Sequence, residues 1–410
     1  MLRYAGSVTT AVVFNPFVPS FKRNPYLQYA RLREGDPVHR SEALQAWVLT
    51  RHADCYAVMR DNETFSSDAR NARGALAEVL QQQRAESPLS NADTILGMDP
   101  PRHTVLRALV GSAFTPRRVA ELRPRIEEIA TTLLDAAGDE FDLMADLAQP
   151  LPVIVIAELL GVSPADRLQF KEWSQALAET TNVIQSPAMV ATARAATVEL
   201  IDYFTRVIEE REVTPRDDLI SALVRAEEDG RRLSRDDVLA FAILLLVAGN
   251  ETTTNLIGNG IASLVEHPAA LADLRAHPDR ILEAVEEIVR FDSPVQGLVR
   301  FTTRDVEIEG HLIAAGDVVM ALIGAANRDP AVFPSPDVLD LDRSEQRRHL
   351  SFGQGIHYCL GAPLARLEAD IVFRSFLARH PAFEVGEGGI ERGGTLLLRG
   401  PVSLPIRATA

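Results

Sequence analysis

The longest apolar pattern in the chain lies between residues 235 and 266. Its most apolar run, 241–248, is followed directly by Gly249-Asn250-Glu251-Thr252-Thr253-Thr254. Ser234 with Asp236 and Asp237 supplies a helix start, and His267-Pro268 a stop. The pattern predicts one helix over about 235–266, spanning roughly 45 Å at 1.5 Å per residue. Glycine and three threonines are poor helix formers in such a segment. A threonine hydroxyl that bonds the carbonyl four residues earlier loosens the ladder there. A groove beside Ala248 and Gly249 is the expected result, wide enough for a small molecule or water.

A second helical period follows a glycine-rich stretch. Leu360, Leu364, Leu367 and Ile371 recur at three- and four-residue intervals. Pro363 falls in the first turn, where a missing N–H costs least. Just before them stands Phe352-Gly353-Gln354-Gly355-Ile356-His357-Tyr358-Cys359-Leu360-Gly361. Glycine permits positive φ and close backbone approach, which suits a tight loop against a flat ligand. Cys359 then sits where unpaired amides and the helix dipole favour an anion. A thiolate is such an anion, although a buried structural cysteine fits the same pattern.

Elsewhere, residues 117–234 read as amphipathic helices broken at Gly138, Pro150, Pro152, Pro164, Pro187 and Pro215. Strands are expected at 46–49, 306–309 and 318–322, with turns at Gly310 and Gly316. Residues 70–91 are polar and alanine-rich, and predict a helix followed by a long loop.

Composition narrows the partners. The 410 residues are 46% hydrophobic, enough for a large core, and carry a formal charge of −15, which argues against nucleic acid. Two cysteines, Cys55 and Cys359, form no disulfide framework and fit a reducing cytoplasm. The apolar N-terminal residues are interrupted by Asn15, Pro16 and Pro19, unlike a signal peptide or membrane anchor. The 241–248 run is too short to cross a bilayer. A cytoplasmic protein without membrane contact is expected.

Three charged sets remain. Asp99 and Pro100 predict a helix start, which places His103 and Arg107 one turn apart on one face. Two such donors can grip a carboxylate, although a solvated basic face has the same spacing. Glu287 and Arg290 are also one turn apart, a pattern common in surface ion pairs. Glu251 is expected to be buried beside Thr252. A helix kink explains the glycine and threonines there, but not the acid.

Together FGxGxHxCxG, HxxxR, ExxR and the Gly249–Thr254 segment resemble the cytochrome P-450 family. The resemblance implies a mainly α fold with small β-sheets, one haem-thiolate monooxygenase domain over residues 1–410, and haem b as cofactor. It implies Cys359 as the iron ligand, in a loop with Phe352, Gly353 and Gly361. His103, Arg107, Arg300 and His357 would face the haem propionates; His357 could instead be a core histidine. Ala248 and Gly249 would border the cofactor, and Glu251 with Thr252 would form an oxygen-activating acid–alcohol pair. Glu287, Arg290 and Arg343 would form a structural ion network. The helices within about 165–196 would roof an apolar pocket walled by Leu245, Ala248, Val295, Leu298 and Leu397.

The expected reaction inserts one atom of O2 into a small apolar substrate. Electrons would come from a separate ferredoxin and ferredoxin reductase, since no flavin or iron–sulfur segment follows the last helix. A peroxide-driven enzyme and a haem-thiolate sensor without turnover are the alternatives. The Glu251-Thr252 pair argues against both.

Overall fold

A computed structural model describes residues 14–74, 77–79, 81–82, 88, 94–178, 186–228 and 230–409. Half of the residues in the helix and loop expected over 70–91 therefore lie outside the described residues. Seven helices carry the argument: α1 Arg102–Ala113, α2 Pro150–Leu159, α3 Arg167–Ala178, α4 Pro187–Val213, α5 Arg235–Glu266, α6 Ile281–Phe291 and α7 Ala362–Arg379.

The α5 helix has the predicted ends. Ser234 Oγ accepts from Asp237 N at 3.1 Å, and Asp237 Oδ2 accepts from Ser234 N at 3.0 Å, closing a capping box. At the other end His267 precedes Pro268, and its N–H reaches Leu264 O at 3.2 Å. Most of the helix is buried, including the whole stretch 253–264. By length and composition α5 could cross a membrane, contrary to the reading of its apolar run as too short. Yet 61% of its most apolar window is buried inside the protein. Its apolarity serves the core.

Two of its glycines fix how closely neighbours approach. A Cβ at Gly249 would lie 2.7 Å from Ile156 Cδ1 on α2, and one at Gly260 would lie 2.2 Å from Phe373 Cζ on α7. Neither contact is tolerable without displacement. Helix α3 and the start of α4 fall within the segment of about 165–196 expected to hold a helical pair, but α4 continues to Val213; residues 179–185 between them lie outside the described residues.

The main sheet contains β1 Val38–Ser41, β2 Ala46–Leu49, β3 Phe65–Ser66, β4 Leu298–Thr302 and β5 Val318–Ala321. Its order is β1-β2-β5-β4-β3, with β2 and β5 parallel and the other neighbours antiparallel. All four β5 residues are buried, as their unbroken apolar run requires. Val306–Ile308 pairs instead with His311–Ile313 in a hairpin turned at Gly310.

Two buried ion clusters lock the helices to the irregular segments. Glu287 on α6 accepts from Arg290 Nε and Nη2, both at 2.8 Å, and from Arg343 Nε at 3.2 Å. Arg290 spends its remaining donors on the carbonyls of Asn327, Pro336 and Val338 at 2.9–3.1 Å. The Glu287 and Arg290 side chains are both 0% exposed. At the end of α6, Asp292 accepts from Tyr26 Oη at 2.7 Å, Arg399 Nε at 2.9 Å and Arg392 Nη1 at 3.0 Å. Arg399 also donates to the carbonyls of Lys22 and Arg23, and Asn259 of α5 to those of Asp292 and Arg399.

Removing one partner of the first cluster strands a buried charge, at a cost of about 3–5 kcal/mol. Glu287→Ala is therefore expected to lose about that much stability in urea unfolding. A loss within the range of an exposed pair, about 1 kcal/mol or less, would show that the cluster is not integral to the fold.

Candidate functional site

The glycine loop is built around two left-handed residues, Gly353 at φ 70° and Gly355 at φ 67°. A Cβ at Gly355 would also lie 2.7 Å from Met59 O, so this position excludes side chains twice over. A short turn, Gly355–His357, leads to Tyr358 and Cys359, and Gly361 caps α7. Cys359 N donates to Phe352 O at 2.8 Å, closing the loop on itself.

Cys359 is exposed as a residue, although most of the volume around its sulfur is protein. Burial pushes its thiol up, against the Gly361 and Ala362 amides and the charges of Arg107 and Arg366. The helix start alone therefore does not yield the thiolate. A bound metal ion deprotonates a coordinating thiol outright.

Four predicted donors converge beside this loop. The His103 and His357 rings lie 4.4 Å apart, tilted by 57°. His103 is buried, and neither ring nitrogen has a hydrogen-bond partner. His357 Nε2 lies 2.9 Å from Ser67 Oγ, and Arg107 Nη2 donates to Tyr358 O. Arg300 is buried and donates to Val299 O at 2.9 Å; among the described residues it has no ion-pair partner. Burial first, and then the charges of Arg300, His103 and Arg107, push His357 down to about 3. Burial likewise lowers Arg300 to about 10. Among the described residues no carboxylate forms an ion pair with these donors, since nearby Asp99 is held by Ser66 and Ser67, so the cluster fits an added anionic group such as the propionates of a haem.

The approach to this cluster differs from expectation. Helix α1 begins at Arg102, with Pro101 rather than Asp99 at the cap position. The Asp99 carboxylate instead accepts from Ser67 N at 3.1 Å and from Ser66 Oγ. It thus braces the segment that carries Ser67 to His357.

On α5, Thr252 Oγ1 donates to Ala248 O at 2.7 Å, the anticipated back-bond. Leu245, Ala248 and Thr252 follow one helix face at spacings of three and four. Ala248 is exposed there, and Leu245 and Thr252 are half-buried. Glu251 is also half-buried, not buried as its apolar neighbours suggested, because its helical position turns it from the packed side. At Gly249 the direction a side chain would take is filled by Ile156, so this position also serves helix packing.

The remaining pocket candidates come partly together. Val295 and Leu398 form an antiparallel bridge, and Gln296 N donates to Leu397 O at 2.7 Å. Leu298 follows at the start of β4. Leu245 and Ala248 stand on a separate element. A cavity of about 680 Å³ opens elsewhere, lined by Trp173, Tyr203, Arg206 and Glu210 of α3 and α4, and includes none of these residues.

Ser67, Asp99, Glu286 and Arg366 are the functional neighbours that the sequence reading missed. Ser67 lies 290 residues from His357, and no spacing announces it. A polar Arg366 between Leu364 and Leu367, and a second glutamate beside Glu287, were the available signals for the other pair.

The sequence profile described as Cytochrome P450 matches residues 48–387. The chain belongs to the cytochrome P450 family. It is 41% identical over 406 residues to the polyketide biosynthesis cytochrome P450 PksS of Bacillus subtilis, covering 96% of this chain and 98% of PksS. It is 43% identical over 398 residues to the monooxygenase PikC of Streptomyces venezuelae, covering 94% and 92%. The solved PksS structure superposes with a TM-score of 0.88, covering 97% of this chain and 100% of that one. The mainly helical architecture is thus the single-domain P450 fold, and the protein is a haem-thiolate monooxygenase that binds haem b. As a bacterial-type P450 it acts with O2 on a small molecule and draws electrons from a redox partner.

Charge-assisted hydrogen bonds contribute about 1.5–3 kcal/mol each. Arg107→Ala is expected to lower haem affinity by roughly tenfold or more while leaving the axial-ligand spectrum unchanged. Haem titration of the apoprotein reads this directly, and undiminished affinity would remove Arg107 from the propionate set.

Proposed function

We propose that Cys359 is the axial ligand of the haem and that residues 1–410 act as a single monooxygenase domain. The observation that carries this is the loop itself: Cys359 beside a four-donor cluster, on a backbone folded by Gly353 and Gly355. Bound there, haem b supplies the iron at which dioxygen is activated. Phe352 and Gly361 flank the sulfur, and the guanidinium and imidazole groups of Arg107, Arg300, His103 and His357 hold the propionates. The reduced carbon-monoxide complex should show the band that names the family. Cys359→His should move it to the position typical of imidazole ligation; an unmoved band assigns the ligand elsewhere.

Exposed Ala248 would border the bound cofactor. Leu245, Ala248, Val295, Leu298 and Leu397 wall an apolar substrate pocket, with α3 and α4 above it. The name of PksS, polyketide biosynthesis, supports a bulky and largely apolar substrate that is hydroxylated or epoxidised. The electron donors are a ferredoxin and its reductase, acting in the cytoplasm.

Glu251 and Thr252 manage protons. Reducing one atom of O2 to water consumes two protons, which this chain's own groups would deliver to a site kept dry. The Thr252 hydroxyl would hold a water there, and half-buried Glu251 beside it would pass protons inward. In Thr252→Ala, haem content and NADH consumption should persist while product per NADH falls by roughly tenfold or more. The missing oxygen should appear as hydrogen peroxide. Full coupling in that variant would show that the hydroxyl is dispensable.

A further inference from the structure

The loop also carries an ion set that the family assignment leaves without a role. Arg366, one turn into α7, lays its guanidinium over the Phe352 ring, with Cζ 4.2 Å from the centroid. The same group grips Glu286 of α6 with two donors, Nε on Oε1 and Nη2 on Oε2 at 3.0 Å. Arg366 Nη1 also reaches Tyr358 Oη at 3.3 Å. Glu286 Oε2 lies 3.2 Å from His349 Nε2, and His349 Nδ1 accepts from Ser351 N at 3.2 Å. One guanidinium thus touches both residues that bracket the loop, Phe352 and Tyr358, and is anchored on a carboxylate only 7% exposed.

The charge arrangement gives this brace an electrical consequence. Burial alone would push the Glu286 carboxyl up, but His349 and Arg366 hold it down to about 2, so it stays ionised. Arg366 keeps its proton for the same reason. Phe352, beneath the guanidinium, carries the carbonyl that accepts from Cys359 N at 2.8 Å. A cation held over this ring therefore fixes the loop and offsets negative charge at the sulfur.

We propose that Arg366 is a positioning residue for the thiolate loop, braced by Glu286 and stacked on Phe352, and that its charge sets the reduction poise of the bound haem. The proposal rests on Cys359 as the iron ligand. A positive charge near the sulfur stabilises the more negative, reduced form. Glu286 mutes that charge, so the two partners act with opposite sign. A purely structural brace has no sign, because loosening it from either side gives the same change.

The test uses the full-length, haem-loaded protein, poised at one fixed potential, with the ferrous-to-ferric ratio read from its spectrum. Arg366→Gln should lower that ratio by about threefold or more, and Glu286→Gln should raise it by about threefold or more. Arg366→Lys, which keeps charge but loses the fork, should stay within about twofold of the parent. Shifts of the same sign in Arg366→Gln and Glu286→Gln, or no shift in either, overturn the proposal. If Arg366→Gln fails to fold, Glu286→Gln decides alone: a rise supports the proposal, and a fall or no change overturns it. Failure of the ligand assignment is separately visible, as an unmoved carbon-monoxide band in Cys359→His.

Discussion

The Glu287 carboxylate is the point on which the site's geometry depends. It is fully enclosed, and it answers two guanidiniums, Arg290 and Arg343, together with the Asp340 amide at 2.9 Å. Those guanidiniums in turn hold carbonyls of the irregular chain between 327 and 338. A segment without regular ladders has no other way to satisfy so many buried carbonyls. Such a cluster adds little net stability over a well-packed apolar one, but its half-made forms are costly. It therefore specifies one path for the chain that leads into the loop. One residue earlier, Glu286 points about 100° around the same helix and engages His349 and Arg366. Two adjacent acids thus divide the work, one holding the approach and the other the loop.

The approach of donors to the haem site shows what sequence can and cannot reveal. HxxxR marks His103 and Arg107 because both lie on one helix, where spacing translates into direction. Arg300 and His357 come from a strand and a turn, and only resemblance to a family united them with the helix. Ser67 was invisible, since its contact with His357 arises from the sheet register that sets Ser66 opposite Phe301. Asp99 was misread for a related reason. An acid before two prolines fits a cap, but the helix starts two residues on, and the carboxylate finds Ser66 and Ser67 instead.

The middle of α5 was legible in outline and wrong in detail. The Thr252 back-bond follows from local chemistry and was foreseen. Burial does not follow from local chemistry, because it depends on which elements cover each face. Glu251 sits within one turn of a strongly apolar run yet is only half-buried. Gly249, one residue beyond exposed Ala248, is pressed against Ile156. A periodicity locates a helix; the partner across each face must come from the fold.

Arg399 gives the chain ends a bearing on selectivity. Its guanidinium ties Asp292 to the carbonyls of Lys22 and Arg23, and its own amide bonds Pro294 O at 2.9 Å. The hairpin of Glu391–Gly394 and Arg399–Ser403, whose turn carries Leu397, is thereby buttoned to the helix Pro19–Arg23. A shift of the Lys22 or Arg23 backbone therefore acts on the same guanidinium that anchors this hairpin to Asp292. For anyone recombining this protein with its relatives, the opening residues and the closing hairpin are one inheritable unit, to be exchanged together or not at all.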